Sequence, residues 1–150
     1  MSYVNFWAHM VWATHCRYPY LTPDIRYRVF DHIKENAVKK GIYLDHINGH
    51  LEHVHCLISL YADQNVMTMA NLLKGESSFW INKNKLTPTK FYWQDDYFAE
   101  SVSPSQLDAV RRYVRNQEEH HRKISFQEEY AEYLSRYELN GDNTRPEIKG

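Results

Sequence analysis

Residues 42–60, IYLDHINGHLEHVHCLISL, decide the architecture. IYLDHI and HLEHVHCLISL each read as a strand, and between them lies Asn48-Gly49, the pair that favours a tight hairpin turn. The segment is therefore expected to be a β-hairpin. In its second strand His53 and His55 are two residues apart, so the pleat directs both imidazoles to one exposed sheet face. Val54, Cys56 and Ile58 point to the other face, where they can pack against helices.

Working outward, each side of the hairpin carries a helix and then a strand. Upstream, Thr22-Pro23-Asp24 supplies an N-cap followed by proline at the first helical position. Ile25, Val29, Ile33 and Ala37 then recur at helical spacing until Gly41. Downstream, residues 65–83 place Val66, Met69, Ala70, Leu73, Phe79 and Trp80 on or near one stripe, interrupted in propensity by Gly75. YVNFWAHMVWAT (3–14) has no Gly or Pro and suits a central strand, and FYWQDDYFAESVS (91–103) gives a loop and a fourth strand. The order β-α-β-β-α-β predicts an α+β, ferredoxin-like (RRM-like) fold: a four-stranded antiparallel sheet with two helices on one face.

Two helices follow the core. Ser103-Pro104-Ser105-Gln106 reads as a capping box opening a third helix through Leu107, Val110 and Val114 to about Arg122. A second box, Ser125 with Glu128, opens a final helix carrying Phe126, Tyr130, Tyr133, Leu134 and Tyr137. The expected organisation is one domain over residues 1–140 and a loose tail over 141–150.

Composition narrows the class. The 150 residues include 18 basic and 19 acidic side chains and are 43% apolar, which excludes a disordered chain and a polycation holding DNA by bulk charge. Any nucleic-acid partner must meet a local patch. No uncharged apolar stretch approaches the roughly 18 residues that span a membrane, and no secretory leader is evident. Cys16, at a strand end, and Cys56, within a strand, are too few for a disulfide framework, so a cytoplasmic protein is expected.

Several residues could carry chemistry, each with a plainer alternative. His53 and His55 begin a divalent-metal site, but a third ligand must come from elsewhere, and a His-x-His pair alone is more often structural. Tyr113 and Gln117 lie one helical turn apart on one face. A tyrosine oxygen can attack phosphorus and a glutamine carbonyl can complete the coordination of a hard cation, though ordinary packing is the commoner role. His120 and His121 are possible substitutes for Gln117. Arg111, Arg112, Arg115, Arg122 and Lys123 cluster in the same helix, either as a phosphate-binding face or as a solvated one balanced by Asp108, Glu118 and Glu119. Lys74, Ser77 and Ser78 could line a DNA strand or simply solubilise a helix, and Trp93 and Tyr97 could stack bases or close the sheet edge.

Together and in order, GHLEHVHCLISL, LLKGESSFWIN, YWQDDYFAESVS and YVRNQEEHHRK resemble the HUH superfamily of single-tyrosine transposases. These are the small enzymes of insertion sequences with hairpin ends and their REP-associated relatives. The resemblance spans about residues 3–126. It implies His53-Val54-His55 as the HUH element, Tyr113 as nucleophile, and Gln117 as third ligand to Mg2+ or Mn2+. It also implies cleavage and rejoining of single-stranded, hairpin-bearing DNA through a 5′-phosphotyrosine. Related enzymes are dimers in which the tyrosine helix of one subunit can complete the site of the other, and a prokaryotic, nucleoid-associated location follows. Other readings are a domesticated REP-associated relative acting on chromosomal palindromes, a non-catalytic ferredoxin-like binder of single-stranded nucleic acid, and, more weakly, a structural zinc protein.

Overall fold

A computed structural model describes residues 2–140, with side chains to residue 136. The chain runs β1 (Phe6–Ala13), α1 (Pro23–Lys39), β2 (Tyr43–Gly49), β3 (His53–Leu60), α2 (Val66–Lys83) and β4 (Phe98–Ser101). It continues as α3 (Leu107–Arg115), α4 (Gln117–Lys123) and α5 (Phe126–Asn140). The sheet has the order β2-β3-β1-β4 with every pairing antiparallel, which is the ferredoxin-like arrangement. The tail over 141–150 lies outside the described residues, as does the side chain of Tyr137.

Alternation along the two central strands builds two cores. Ala8, Met10 and Trp12 of β1 and Val54, Cys56 and Ile58 of β3 pack with Val29, Phe30 and Ile33 of α1 and Met69, Ala70 and Leu73 of α2. On the other face Val11 and Ala13 form a smaller cluster with Phe126 and Tyr133 of α5. That covering layer corrects one expectation: His53 and His55 are fully buried, not exposed.

Five other details differ. Asn48 and Gly49 are strand residues paired with His55 and Val54, and the turn lies at 50–52, closed by the His50 N–H donating to the His53 carbonyl at 3.1 Å. Asn48 instead donates to the Arg115 carbonyl (3.0 Å). Gly49 is needed for close approach, because a Cβ there would lie 2.1 Å from the His53 oxygen. The third helix stops at Asn116 (φ −97°, ψ 28°), so α3 and α4 are separate. It begins after a 3-10 turn, Pro104–Gln106, with the Ser103 hydroxyl bonded to Ser105 rather than capping. Phe79 faces solvent, since the buried stripe of α2 continues Leu73, Ser77, Ile81 at helical spacing. Cys16 sits beyond β1 in a short 3-10 turn. The Ser125–Glu128 box forms as expected, with the Glu128 N–H donating to the Ser125 hydroxyl at 3.2 Å.

Candidate active site

The site lies between the sheet and the added helices. β3 delivers His53 and His55 two residues apart, and each imidazole is gripped from behind. His53 Nδ1–H donates to Glu52 Oε1 at 2.8 Å, and its ring stacks on Phe126, centroids 4.0 Å apart. His55 Nδ1 lies 2.9 Å from Nε2 of His9, a residue of the neighbouring strand β1, and the two rings stack. Such backing fixes tautomer and orientation, and metal-binding histidines ordinarily have it.

The break at Asn116 brings the second set of groups onto these rings. Gln117, buried at the first position of α4, has Oε1 3.1 Å from His53 Nε2 and donates its amide N–H to the Tyr113 carbonyl at 3.1 Å. One turn on, His121 Nε2 lies 3.0 Å from His53 Nε2. His50, outside the cluster, stacks on the His121 ring.

Tyr113 packs edge-on against His9 and His55. Its hydroxyl donates to Glu129 of α5 and lies 3.4 Å from His120 Nε2 and from the Tyr133 hydroxyl. Glu129 is itself buried, with Oε1 3.1 Å from His55 Nε2 and Oε2 2.6 Å from His120 Nε2. Tyr113, Gln117, His53 and His55 thus converge. Glu129, Glu52 and His9 join them without having been singled out. A signal existed for Glu129: it is an acidic residue in step with Tyr133, on the stripe of α5 that includes Phe126 and Tyr130.

Burial dominates the electrostatics. It pushes His9 down to about 4, against the pull of Glu129, and His55 to about 3 despite its bond to Glu129. His121 falls to about 4 through burial and the neighbouring His53. Burial also opposes charge on Glu129, yet bonds from His55 and Tyr113 hold its carboxyl below the usual range. Tyr113 is pushed well above the ordinary phenol by burial, then by Tyr133 and Glu129.

The candidate DNA contacts divide. Arg112 and Arg115 are exposed beside the site. The Arg111 guanidinium is held by Asp45 (2.9 Å) and Asp108 (3.0 Å) and lies over Trp7. Lys74, Ser77 and Ser78 belong to α2, on the far side of the sheet from Tyr113. Lys74 donates to the Asp95 carbonyl, Ser78 donates to the Gly75 carbonyl, and Ser77 is buried between the Leu73 carbonyl and Trp93 Nε1. Trp93 is a core residue, bridged to Thr14.

The donor set fits a divalent cation. One ligand atom from each of His53, His55, His121 and Glu129 lies within 4.8 Å of all the others, and Gln117 Oε1 adds a hard oxygen. Alongside a tyrosine hydroxyl already paired with an acceptor, this can support nucleophilic attack on a phosphodiester.

The profile of the family described as "Transposase IS200 like" matches residues 2–117. Among solved structures, the chain is similar to a candidate transposase from Deinococcus radiodurans at 23% identity, covering 78% of this chain and 95% of that one with a TM-score of 0.61. It is also similar to a REP-associated tyrosine transposase bound to a REP hairpin, at 16% identity, 83% and 73% coverage and a TM-score of 0.60. No curated protein matches the chain.

Proposed function

Because the chain belongs to the IS200-like transposase family, we propose that it cleaves and rejoins single-stranded DNA through a covalent bond to Tyr113. The observation that carries this reading is the Tyr113 hydroxyl held by Glu129 beside the buried cluster of His53, His55 and Gln117. A non-catalytic nucleic-acid binder has no use for that convergence.

The chemistry follows from the groups present. Tyr113 Oη attacks the scissile phosphorus in line, the Oη–P bond forms and the P–O3′ bond breaks. The product is a 5′-phosphotyrosine and a strand ending in a 3′-hydroxyl. Glu129, which already accepts the Tyr113 hydrogen bond, is placed to take the phenolic proton, and the departing 3′-oxygen takes up a proton in turn. His53, His55 and Gln117 would hold a divalent ion, Mg2+ or Mn2+, which would supply Lewis-acid polarisation of the scissile phosphate. Glu52 and His9 hold the two histidines in register for that ion. The phosphotyrosine preserves the phosphodiester's bond energy, so attack by another 3′-hydroxyl reseals DNA without a nucleotide cofactor.

In this reading residues 1–140 act as one catalytic unit on a hairpin-bearing single strand, like the neighbour bound to a REP hairpin. Exposed Arg112 and Arg115 contact the DNA backbone, and the working form is a homodimer acting at the nucleoid. Tyr113 and His55 meet within one chain. Among the described residues no helix is long and apolar enough to cross a membrane.

The test is incubation with Mn2+ or Mg2+ and single-stranded DNA carrying palindromes from the flanks of the gene. A denaturation-resistant adduct is expected from the wild type and not from Tyr113→Phe. An adduct of unchanged yield in that variant would overturn the assignment.

A further inference from the structure

Hydrogen bonding around His53 presents a conflict that a cation resolves. His53 Nδ1–H donates to the Glu52 carboxylate at 2.8 Å, and His121 Nδ1–H donates to the Ile124 carbonyl at 2.9 Å. Both partners can only accept, so each neutral ring carries its lone pair on Nε2. Gln117 gives its amide N–H to the Tyr113 carbonyl, which turns Oε1 inward. The three inward atoms are therefore all acceptors. His53 Nε2 lies 3.0 Å from His121 Nε2, and Gln117 Oε1 lies 3.1 Å from each.

Three lone pairs in mutual contact repel, and here solvent cannot separate them. His53 and Gln117 are fully buried, and the His121 side chain is 2% exposed. A proton on one ring would leave the edge between the other two atoms unsatisfied. A metal ion turns all three contacts into ligation, and donors bound at about 2.1 Å lie roughly 3.0–3.4 Å from one another. Glu129 closes the set: Oε1 is 3.1 Å from His55 Nε2 and 3.7 Å from His53 Nε2, and Oε2 is 3.8 Å from His121 Nε2.

We propose that His121 and Glu129, both beyond the family-matched residues 2–117, are metal ligands of this protein. With them the site offers three imidazoles, a carboxylate and a carboxamide oxygen, and it takes a transition-metal dication such as Zn2+ or Mn2+ in preference to Mg2+. Imidazole nitrogen binds such ions far better than Mg2+, which favours oxygen donors and retains its waters. The inference rests on the reading of the same site given above and sharpens its metal.

Calorimetric titration of Zn2+, Mn2+ and Mg2+ into metal-stripped, full-length protein without DNA tests it. One Zn2+ or Mn2+ is expected to bind per chain and to resist a large excess of Mg2+. Affinity is expected to fall at least about tenfold in His121→Ala and in Glu129→Gln. Wild-type affinity in either variant, or displacement by Mg2+ at equal concentration, would overturn the proposal. Nitrogen NMR of the wild-type histidines gives a measure that does not depend on how the variants fold. The Nε2 atoms of His53 and His121 are expected to be unprotonated before metal and to shift with Zn2+, and a protonated His121 Nε2 at neutral pH would refute the argument. If metal binds as stated but Tyr113 forms no DNA adduct, the transposase reading fails and the ligand set stands. If the adduct forms but either variant binds metal normally, the reverse holds.

Discussion

The Tyr113 hydroxyl donates to the Glu129 carboxylate, joining the nucleophile's helix to a helix that begins beyond the family-matched residues. In the metal-free protein burial, then Tyr133 and the Glu129 carboxylate, keep the phenol protonated, because a buried anion beside it disfavours a second negative charge. Glu129→Gln is expected to lower the pKa of Tyr113 in the metal-free protein. Carbon NMR of the tyrosine Cζ signals across alkaline pH would show it, and an unchanged titration would mean that burial and Tyr133, not Glu129, set the value.

Acid should destabilise the metal-free protein in a defined window. His9, His55 and His121 have folded pKa values of about 4, about 3 and about 4, below the unfolded value near 6.5. The unfolded chain therefore binds more protons between those limits. Stability is complete above about pH 6.5 and falls as pH drops, levelling near about 4 for His9 and His121 and near about 3 for His55. The shift at His9 alone corresponds to on the order of 3 kcal/mol. Denaturant midpoints measured from pH 7.5 to 4 should fall steadily, and a flat profile would contradict the buried neutral assignment.

Glu52 touches neither Tyr113 nor the other donors in this structure, yet it orients His53. Glu52→Gln should weaken metal binding by roughly 10–100-fold, as loss of a histidine's backing partner does elsewhere. Its melting temperature should change little. An equal loss of stability and affinity would show that Glu52 is structural.

The arginines of α3 should separate by function. Arg115→Ala is expected to weaken single-stranded DNA binding and to reduce the slope of log affinity against log salt by about 0.7, without altering melting. Arg111→Ala should lower the melting temperature, because its guanidinium ties α3 to Asp45 of β2 and helps hold that carboxyl below its usual range, against the effect of burial. Indistinguishable salt slopes for Arg115→Ala and wild type would remove Arg115 from the interface.

The strands and helices of the core were legible because each follows a local rule: alternation across β3, proline after Thr22 in α1, the Ser125–Glu128 box in α5. The histidine pair and the Tyr113–Gln117 spacing were legible for the same reason. What escaped depends on distant partners. Asn48-Gly49 has the local signature of a turn, but Asn48 is drawn to the Arg115 carbonyl and Gly49 is pressed against His53. Glu129 shares the stripe of Phe126, Tyr130 and Tyr133, but its partners, His55 and Tyr113, follow only from the packing of α5 over the sheet.

Asn116 makes the spacing between nucleophile and ligand a matter of phase. Tyr113 lies in the last turn of one helix and Gln117 opens the next, so the angle between their side chains is set by a single joint rather than by a continuous helical ramp. One residue added or removed there would rotate Gln117 and His121 by about 100° about the helix axis and carry both away from His53. Apart from Arg112 and Arg115, side chains exposed on this stretch can drift while its length cannot. In collections of such chains the joint should therefore stand out as a short interval free of insertions, set between helices whose surfaces vary.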